Sequence, residues 1–174
     1  MHLWVIDEMR FGLQPVTRRV WTLRGVEVSA PVNPRYRWGY TFGALEVCGD
    51  GAEFFHTDGV SQEATGCFLD QLAASDPQAI HIIIQDGAGF HLGENHERLP
   101  ANVRVLTLPA YSPQLNPIER LWDIIKDRIC NRIWEDLEEL TSAINVVLRE
   151  YWKRPKLVRS LIGRGWLHTQ ANAS

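Results

Sequence analysis

The chain has 174 residues, of which 45% are hydrophobic and 22% are charged, and this globular composition excludes a disordered chain. The formal net charge of −3 excludes a protein whose whole surface attracts nucleic acid, so any site for a polyanion has to be local. Three cysteines without a C-x-x-C pair exclude a disulfide framework and a zinc knuckle. No apolar run reaches the length of a signal core or a membrane span, so we expect a cytoplasmic protein without a membrane partner.

The first half of the chain predicts a strand, a loop, a hairpin and a helix. The apolar run His2–Ile6 predicts a buried strand that ends just before Asp7, and the glycine and proline of Met9–Pro15 predict a loop. The stretch Arg18–Gly25 is basic and aromatic, and we interpret it as an irregular strand or an arm. A hairpin of two strands and then a helix follow in order: Trp38–Val47, Ala52–Thr57 and Ser61–Ala74.

The second half begins with another buried strand, Ala79–Gln85, which Asp86 follows directly. The glycine-rich stretch Gly87–Gly93 predicts a loop, and loops at the end of a buried strand often carry function. A short helix, a fifth strand and a last long helix are predicted farther along: Glu94–Leu99, Val103–Leu108 and Asp136–Tyr151.

A well-marked helix start lies between the fifth strand and the last helix. Asn116 suits the N-cap, and Pro117 suits the first helical position, where its missing N–H is harmless. Glu119 has two interpretations, because its carboxylate either bonds back to the cap, as in a capping box, or points along the rim of the core. Apolar residues at helical spacing predict one face packed on that core: Ile118, Leu121, Trp122, Ile125 and Ile129.

The order of these elements predicts an α/β fold with a five-stranded mixed sheet, in which an antiparallel hairpin and parallel strands are flanked by helices. No repeat or linker divides residues 1–152, which we interpret as one domain. Residues 153–174 are interpreted as a basic C-terminal tail, which is either a solvated face or a patch that contacts phosphates.

Three acidic residues converge if the strands before Asp7 and Asp86 are parallel neighbours, because the carboxyl ends of parallel strands meet at one edge of a sheet. Glu119 would reach the same edge from the start of its helix. Carboxylates about 4 Å apart repel by about 4 kcal/mol per pair at an effective dielectric of roughly 20, so they need protons or cations. Oxygen ligands favour Mg²⁺ or Mn²⁺, and two such ions can activate a nucleophile and stabilise a leaving oxygen.

Three stretches resemble a known family: residues 5–8 (VIDE), residues 85–91 (QDGAGFH) and residues 108–126 (LPAYSPQLNPIERLWDIIK). Together they resemble the catalytic core of mariner-like bacterial insertion-sequence transposases of the DDE superfamily. The resemblance implies a ribonuclease H-like fold and a metal-dependent DNA endonuclease that also performs strand transfer. It implies that Asp7, Asp86 and Glu119 are the catalytic residues and bind two Mg²⁺ or Mn²⁺ ions.

The same resemblance implies partners. These are DNA, at the element ends and at the target, a separate helix-turn-helix polypeptide, and a second copy in a homodimer at the bacterial nucleoid. Full transposases of this kind carry helix-turn-helix domains ahead of the core, so the chain is expected to be a split-frame product, a truncation or an excised domain. A ribonuclease H-like nuclease without strand transfer and an inactive remnant that only binds nucleic acid or protein stay open as alternatives.

Several further residues are candidates for contact with the substrate: His91, Tyr111, Ser112, Arg120 and Lys126. For each of them alone, an ordinary surface or packing role is the alternative interpretation. Gly87 stands where relatives often carry asparagine, and we expect little loss of chemistry from this difference. Glu8 is expected to face away from Asp7, because side chains alternate along a strand, and to meet solvent or a salt bridge.

Overall fold

The computed structural model of the protein describes residues 1–29, 31–109 and 116–163. Within these ranges the chain forms five strands and four helices: β1 (His2–Gly12), β2 (Trp38–Glu46), β3 (Ala52–Thr57), α1 (Gln62–Ser75), β4 (His81–Gln85), β5 (Val103–Thr107), α2 (Glu119–Ile129), α3 (Leu137–Lys153) and α4 (Pro155–Ile162). None of the helices in these ranges is long and apolar enough to cross a membrane.

The five strands form one sheet in the order β3-β2-β1-β4-β5. β1 pairs antiparallel with β2, and β2 pairs antiparallel with β3, whereas β1, β4 and β5 run parallel to one another. This arrangement confirms the predicted mixed sheet with an antiparallel hairpin. β1 therefore lies at the centre of the sheet, between the antiparallel half and the parallel half.

The side chains of β1 alternate between two cores, because successive residues of a strand point to opposite faces. On one face, Val5 and Met9 pack in a core that contains the buried residues of α2, α3 and α4. On the other face, Trp4 and Ile6 pack in a core that contains the buried residues of α1. Neighbouring residues of β1 thus enter two different environments.

β1 is longer than the sequence predicted, because it continues through Met9 and Phe11 to Gly12. β2 pairs with it over this whole stretch, so the backbone has hydrogen-bonding partners there. Met9 and Phe11 are buried while the residue between them is exposed, an alternation typical of a strand. The loop predicted at Met9–Pro15 is therefore wrong in its first half, and Asp7 lies inside a strand rather than at its end.

Residues 13–37 connect β1 to β2 and form no helix or strand in their described part. Arg18–Gly25 is exposed along its whole length, with Trp21 fully open to solvent. The segment is therefore an arm rather than a strand. Its base is tied to the end of α2, where the backbone N–H of Asn131 donates to the carbonyl of Val16 at 2.9 Å.

Two helix predictions are corrected. Glu94–Leu99 forms successive turns instead of a short helix, since its backbone hydrogen bonds reach back only three residues. The helix predicted from Pro117 begins two residues later, at Glu119. The turn before it is also closed by bonds three residues apart, such as that from the Arg120 N–H to the Pro117 carbonyl at 3.2 Å.

Part of the segment predicted as a basic tail forms α4. Its apolar residues Val158, Leu161 and Ile162 are buried in the core shared with α2 and α3. Its Arg159 forms an ion pair with Asp50 in the turn between β2 and β3. Residues 164–174 lie outside the described part of the chain, and the division of the chain at residue 152 stays a prediction.

Candidate active site

Asp7 lies on β1 just past the point where the pairing of β1 with β4 ends. The last parallel pair joins Val5 to Ile84, and Asp7 and Asp86 each follow two residues later. On its other side, Asp7 is the cross-strand partner of Gly43 on β2. Both aspartates therefore follow the paired part of their strands by the same number of residues, at the edge where open α/β sheets place ligands.

The carboxyl group of Asp7 is largely shielded from water and receives one strong hydrogen-bond donor. The indole Nε1–H of Trp122 donates to Asp7 Oδ2 at 2.8 Å. The pKa of Asp7 is raised from 3.8 to about 7, chiefly by burial and also by the charges of Glu119 and Glu8, while the hydrogen bonds from the indole of Trp122 and the backbone of Glu8 oppose the rise. None of the groups that shift this pKa is a cation, so among the described residues the charge of Asp7 stays uncompensated.

Glu119 is brought near Asp7 by the start of α2. It is the first residue of the helix, and its charge is the second cause of the raised pKa of Asp7. Among the described residues the Glu119 carboxylate makes no hydrogen bond back to the Asn116 N–H, so the capping-box interpretation of Glu119 finds no support. Asn116 itself has two roles: its Oδ1 accepts from the Ile118 N–H at 3.2 Å, as a cap does, and its amide donates to the carbonyl of Ile6 at 2.9 Å. Asn116 thereby ties the start of α2 to the residue of β1 that precedes Asp7.

Gly43 allows α2 to approach the sheet closely at this point. A Cβ atom at Gly43 would lie 2.5 Å from the ring of Trp122 and 2.8 Å from Ile118 Cδ1, closer than real side chains come. Because Gly43 is the cross-strand partner of Asp7, the space left by its missing side chain is occupied by the indole that bonds the carboxyl. The glycine is therefore part of the geometry of the site.

Asp86 follows β4 directly, and its side chain is 60% exposed. Its Oδ1 accepts a hydrogen bond from the backbone N–H of Ala88 at 2.9 Å and lies 2.9 Å from Nδ1 of His91. The same ring nitrogen lies 3.0 Å from the backbone carbonyl oxygen of Asp86. The glycine-rich loop is thus folded back onto the aspartate that precedes it.

His91 is buried between two acids that come from different strands. Its Nε2 lies 3.0 Å from Oε1 of Glu8, and the side chains of His91 and Glu8 are only 2% and 7% exposed. Burial lowers the pKa of His91, but the hydrogen bond and charge of Glu8 and the contacts with Asp86 outweigh it, so the pKa is raised. Of the two roles expected for Glu8, solvent exposure is wrong and the salt bridge is formed.

The described residues contain no group of three or more His, Cys, Asp or Glu side chains arranged to hold a metal ion. Within the predicted triad, Asp7 and Glu119 interact through their charges, whereas Asp86 directs its Oδ1 to the loop. The donor set nevertheless fits a hard divalent cation, since all three side chains offer carboxylate oxygens. A cation would also offset the burial and the like charges that together raise the pKa of Asp7 to about 7.

The remaining candidate contacts lie on α2 and in the segment before it. Arg120 is exposed, and its Nη1 donates to a backbone carbonyl of α4 at 3.0 Å, which gives this side chain a structural bond. Lys126 is half-buried two turns into the helix. Tyr111 and Ser112 lie outside the described residues. Contact of these residues or of His91 with a substrate stays a prediction.

Three residues that shape the site were only partly recognised in the sequence. The helical spacing predicts that Trp122 is a core residue, and it is buried. A buried indole N–H also needs an acceptor, and this requirement could have indicated its bond to Asp7. Gly43 carried the weaker signal of a glycine inside a strand, which often marks a close approach. The sequence predicts Asn116 as a helix cap, and its Oδ1 does accept from the Ile118 N–H, but no local pattern indicates its second bond, to β1.

The fold is shared with two solved structures of other proteins. The crystal structure of the mariner Mos1 paired end complex with Mg matches with a TM-score of 0.65 at 16% identity, over 94% of this chain and 53% of that chain. The catalytic core domain of BIV integrase matches with a TM-score of 0.50 at 15% identity, over 86% of this chain and 82% of that chain. These likenesses show the ribonuclease H-like class of fold.

The sequence comparisons identify the family. The family model for DDE superfamily endonuclease matches residues 2–141. An uncharacterized protein of Sinorhizobium fredii is 30% identical over 138 residues, which cover 75% of this chain and 98% of that protein. The insertion element IS630 uncharacterized 39 kDa protein of Shigella sonnei is 30% identical over 156 residues, 81% of this chain and 44% of that protein. The chain belongs to the DDE superfamily of endonucleases, and it spans less than half of the Shigella protein and about half of the Mos1 chain.

Proposed function

We propose that the chain is the catalytic domain of an insertion-sequence transposase that acts on DNA in the bacterial cytoplasm. In the first step, water attacks a phosphodiester at the element end, and the bond to the 3′-oxygen breaks to release a 3′-hydroxyl. In the second step, this hydroxyl attacks a phosphodiester of the target DNA and displaces a new 3′-hydroxyl. The membership of the chain in the DDE superfamily and the fold shared with Mos1 support this reaction class.

The assignment of roles to Asp7 and Glu119 rests on one observation. The buried carboxyl of Asp7 has its pKa raised to about 7 by burial and by the nearby charge of Glu119. Two carboxylates that are close together and shielded from water repel each other, so they need a shared cation or a proton. Mos1 structures were solved with Mg and with Mn, which supports a divalent cation as the missing charge.

The three acids have separate roles in this proposal. Asp7 and Asp86 would hold the cations from neighbouring strands, and Glu119 would contribute a carboxylate from the first turn of α2. Two bound Mg²⁺ or Mn²⁺ ions would activate the attacking oxygen and stabilise the leaving oxygen. Trp122 holds Oδ2 of Asp7 by its indole N–H, which leaves Oδ1 of that carboxyl for a cation.

The partners are part of the same proposal. The Mos1 neighbours are paired-end and strand-transfer complexes, and the joining of two DNA ends calls for two catalytic domains, so we propose a homodimer on DNA. We propose that a helix-turn-helix polypeptide recognises the element ends. The exposed side chain of Arg120 and the nearby Lys126 are proposed to follow the DNA backbone.

The test uses Mn²⁺ calorimetry and a labelled duplex that carries the ends of the encoding element, with a target plasmid present. The wild type is expected to bind Mn²⁺, to nick the duplex and to form joined products. Glu119→Gln should lose cleavage by about a thousandfold, because several kcal/mol of charge stabilisation depend on the metal site. Asp123→Asn is the matched control, because this acid lies on the same helix, exposed and paired with Arg18, and should leave cleavage unchanged.

Each alternative function gives a different result in this experiment. Cleavage without joined products would identify a ribonuclease H-like nuclease. The absence of both Mn²⁺ binding and cleavage in the wild type would identify an inactive remnant. Equal cleavage by Glu119→Gln and the wild type would show that Glu119 is not a catalytic residue.

A further inference from the structure

A chain of side-chain contacts joins β1 to the loop after β4 on the face of the sheet that packs against α1. Glu8 contacts His91, and His91 contacts Asp86, at distances of 3.0 Å and 2.9 Å between the nearest atoms. We name these three residues the Glu8–His91–Asp86 bridge. Its outer members adjoin or belong to the predicted triad, since Glu8 follows Asp7 and Asp86 is itself a triad member.

The bridge lies just beyond the last backbone pairing between β1 and β4. The pairing of β1 with β4 ends at Val5 and Ile84, and Glu8 and Asp86 lie three and two residues farther on. β1 continues from there along β2, whereas β4 ends at Gln85. The side chain of His91 therefore connects the strands at the level where the two aspartates of the predicted site emerge.

The middle of the bridge is held rigidly. The side chains of His91 and Glu8 are 2% and 7% exposed, so neither can move freely into solvent. The loop on both sides of His91 is anchored as well, because Thr65 Oγ1 donates to the carbonyl of Phe90 and Gln85 Nε2 donates to that of Leu92, both at 2.9 Å. A histidine fixed in this way presents its Nδ1 to Asp86 in one orientation.

We propose that Glu8 and His91 are positioning residues that orient the carboxylate of Asp86 for the divalent cation, an inference that rests on the function proposed above. Nδ1 of His91 lies 3.0 Å from the carbonyl oxygen of Asp86, to which it is hydrogen-bonded, and 2.9 Å from Oδ1 of the same residue. The backbone N–H of Ala88 donates to that Oδ1, so these contacts leave Oδ2 to the cation. Glu8 acts through His91, whose Nε2 it contacts from the opposite side. Outer partners of this kind commonly change metal affinity about 10-fold to 100-fold when they are lost.

The test measures Mn²⁺ binding by calorimetry, without DNA, for the wild type, Glu8→Gln, His91→Gln and the double variant. Each single variant is expected to weaken Mn²⁺ binding about tenfold or more. The double variant should bind like His91→Gln alone, because Glu8 has no effect once the side chain through which it acts is changed. Cleavage of the labelled duplex at saturating Mn²⁺ should recover in all three variants.

The matched control is His56→Gln. His56 also bridges two elements, since its ring nitrogens lie 2.9 Å from Thr41 Oγ1 and 2.8 Å from Asn145 Oδ1, but it lies on β3, away from the three acids. This variant should lose a similar pair of hydrogen bonds and keep the Mn²⁺ affinity of the wild type. Thermal unfolding without metal shows whether the variants compared are equally folded.

The outcomes separate this inference from the proposed function. Wild-type Mn²⁺ affinity in His91→Gln, or additive losses in the double variant, would overturn the positioning role and leave the proposed function standing. If the wild type itself does not bind Mn²⁺, both the positioning role and the proposed function are wrong. If His91→Gln does not fold, the comparison of Glu8→Gln with His56→Gln decides, and equal Mn²⁺ affinities would then count against the bridge.

Discussion

Two acids that are neighbours on β1 have opposite surroundings. Asp7 faces the core formed with α2, where its partners are an indole N–H and the like charge of Glu119. Glu8 faces the side of α1, where the buried ring of His91 contacts both of its carboxylate oxygens. The pKa of Asp7 is raised to about 7, and Glu8 instead raises the pKa of its histidine.

The difference separates a carboxylate available to a cation from a carboxylate already bonded to a histidine. Removing one member of a buried acid–histidine pair destabilises the fold, whereas a buried acid close to another acid destabilises the fold until a cation binds. The alternation of a strand is enough to produce both cases from consecutive residues. The face with unpaired charge is therefore the one on which we place the cations.

The largest expected effect is on the folding stability of the metal-free protein, in which substitutions of Asp7 and Glu8 can be compared directly. Asp7 has a higher pKa folded than unfolded, so its contribution to stability is lost as the pH rises from 3.8 to about 7. Asp7→Asn should therefore stabilise the protein at pH 8, by at most about 4 kcal/mol, since one pKa unit corresponds to about 1.36 kcal/mol. Glu8→Gln should destabilise it by about 1–3 kcal/mol, because His91 loses a charged partner in a buried site.

Urea unfolding at pH 5 and pH 8 measures both changes. The advantage of Asp7→Asn should shrink at pH 5 and should also shrink when Mn²⁺ is added, because the cation stabilises only the protein that binds it. Changes of the same sign for Asp7→Asn and Glu8→Gln would show that the two faces do not differ as described.

A second prediction concerns Gly43, which allows α2 to pack closely against the sheet beside Asp7. Gly43→Ala should cost about 1–3 kcal/mol of stability, because the added methyl group overlaps the ring of Trp122 in a packed core. Gly59→Ala is the matched control, since a Cβ there would meet nothing within 4 Å. Denaturant midpoints compare the two variants, and equal midpoints would mean that α2 moves aside without cost.

The smallest expected effect concerns His2, a histidine at the opposite end of β1 that is paired with two acids. Hydrogen bonds to Glu46 and Asp76 raise the pKa of His2, so the stabilisation is present at low pH and is lost as the pH rises through the raised pKa. Asp76→Asn should lower stability at pH 5, by less than Glu8→Gln does, because Asp76 is open to solvent. Thermal unfolding at pH 5 and pH 9 tests this, and a loss at pH 9 would contradict it.

Much of the fold followed from local patterns. The runs at 52–57 and 81–85 are strands, and Ser61 caps α1 by accepting a hydrogen bond from Ala64 N–H at 3.1 Å. The predicted end of β1 was wrong, because pairing with β2 continues a strand that glycine and proline were expected to stop. The start of α2 was misplaced by two residues. Asn116 accepts the expected cap hydrogen bond from the Ile118 N–H at 3.2 Å, but the turn that follows is closed by bonds three residues apart, so the α-helix begins at Glu119.

The sequence by itself predicted the five strands, the helices α1 to α3 and the three candidate acids, because hydrophobic periodicity and motif spacing are properties of short segments. Only the tertiary structure decided which groups surround each acid. Trp122 meets Asp7 because Gly43 leaves room between a helix and a strand that are distant in the chain. Likewise, His91 meets Glu8 because the order of strands brings the loop after β4 beside β1. Such contacts join residues about 80 to 115 positions apart, and no local pattern encodes them.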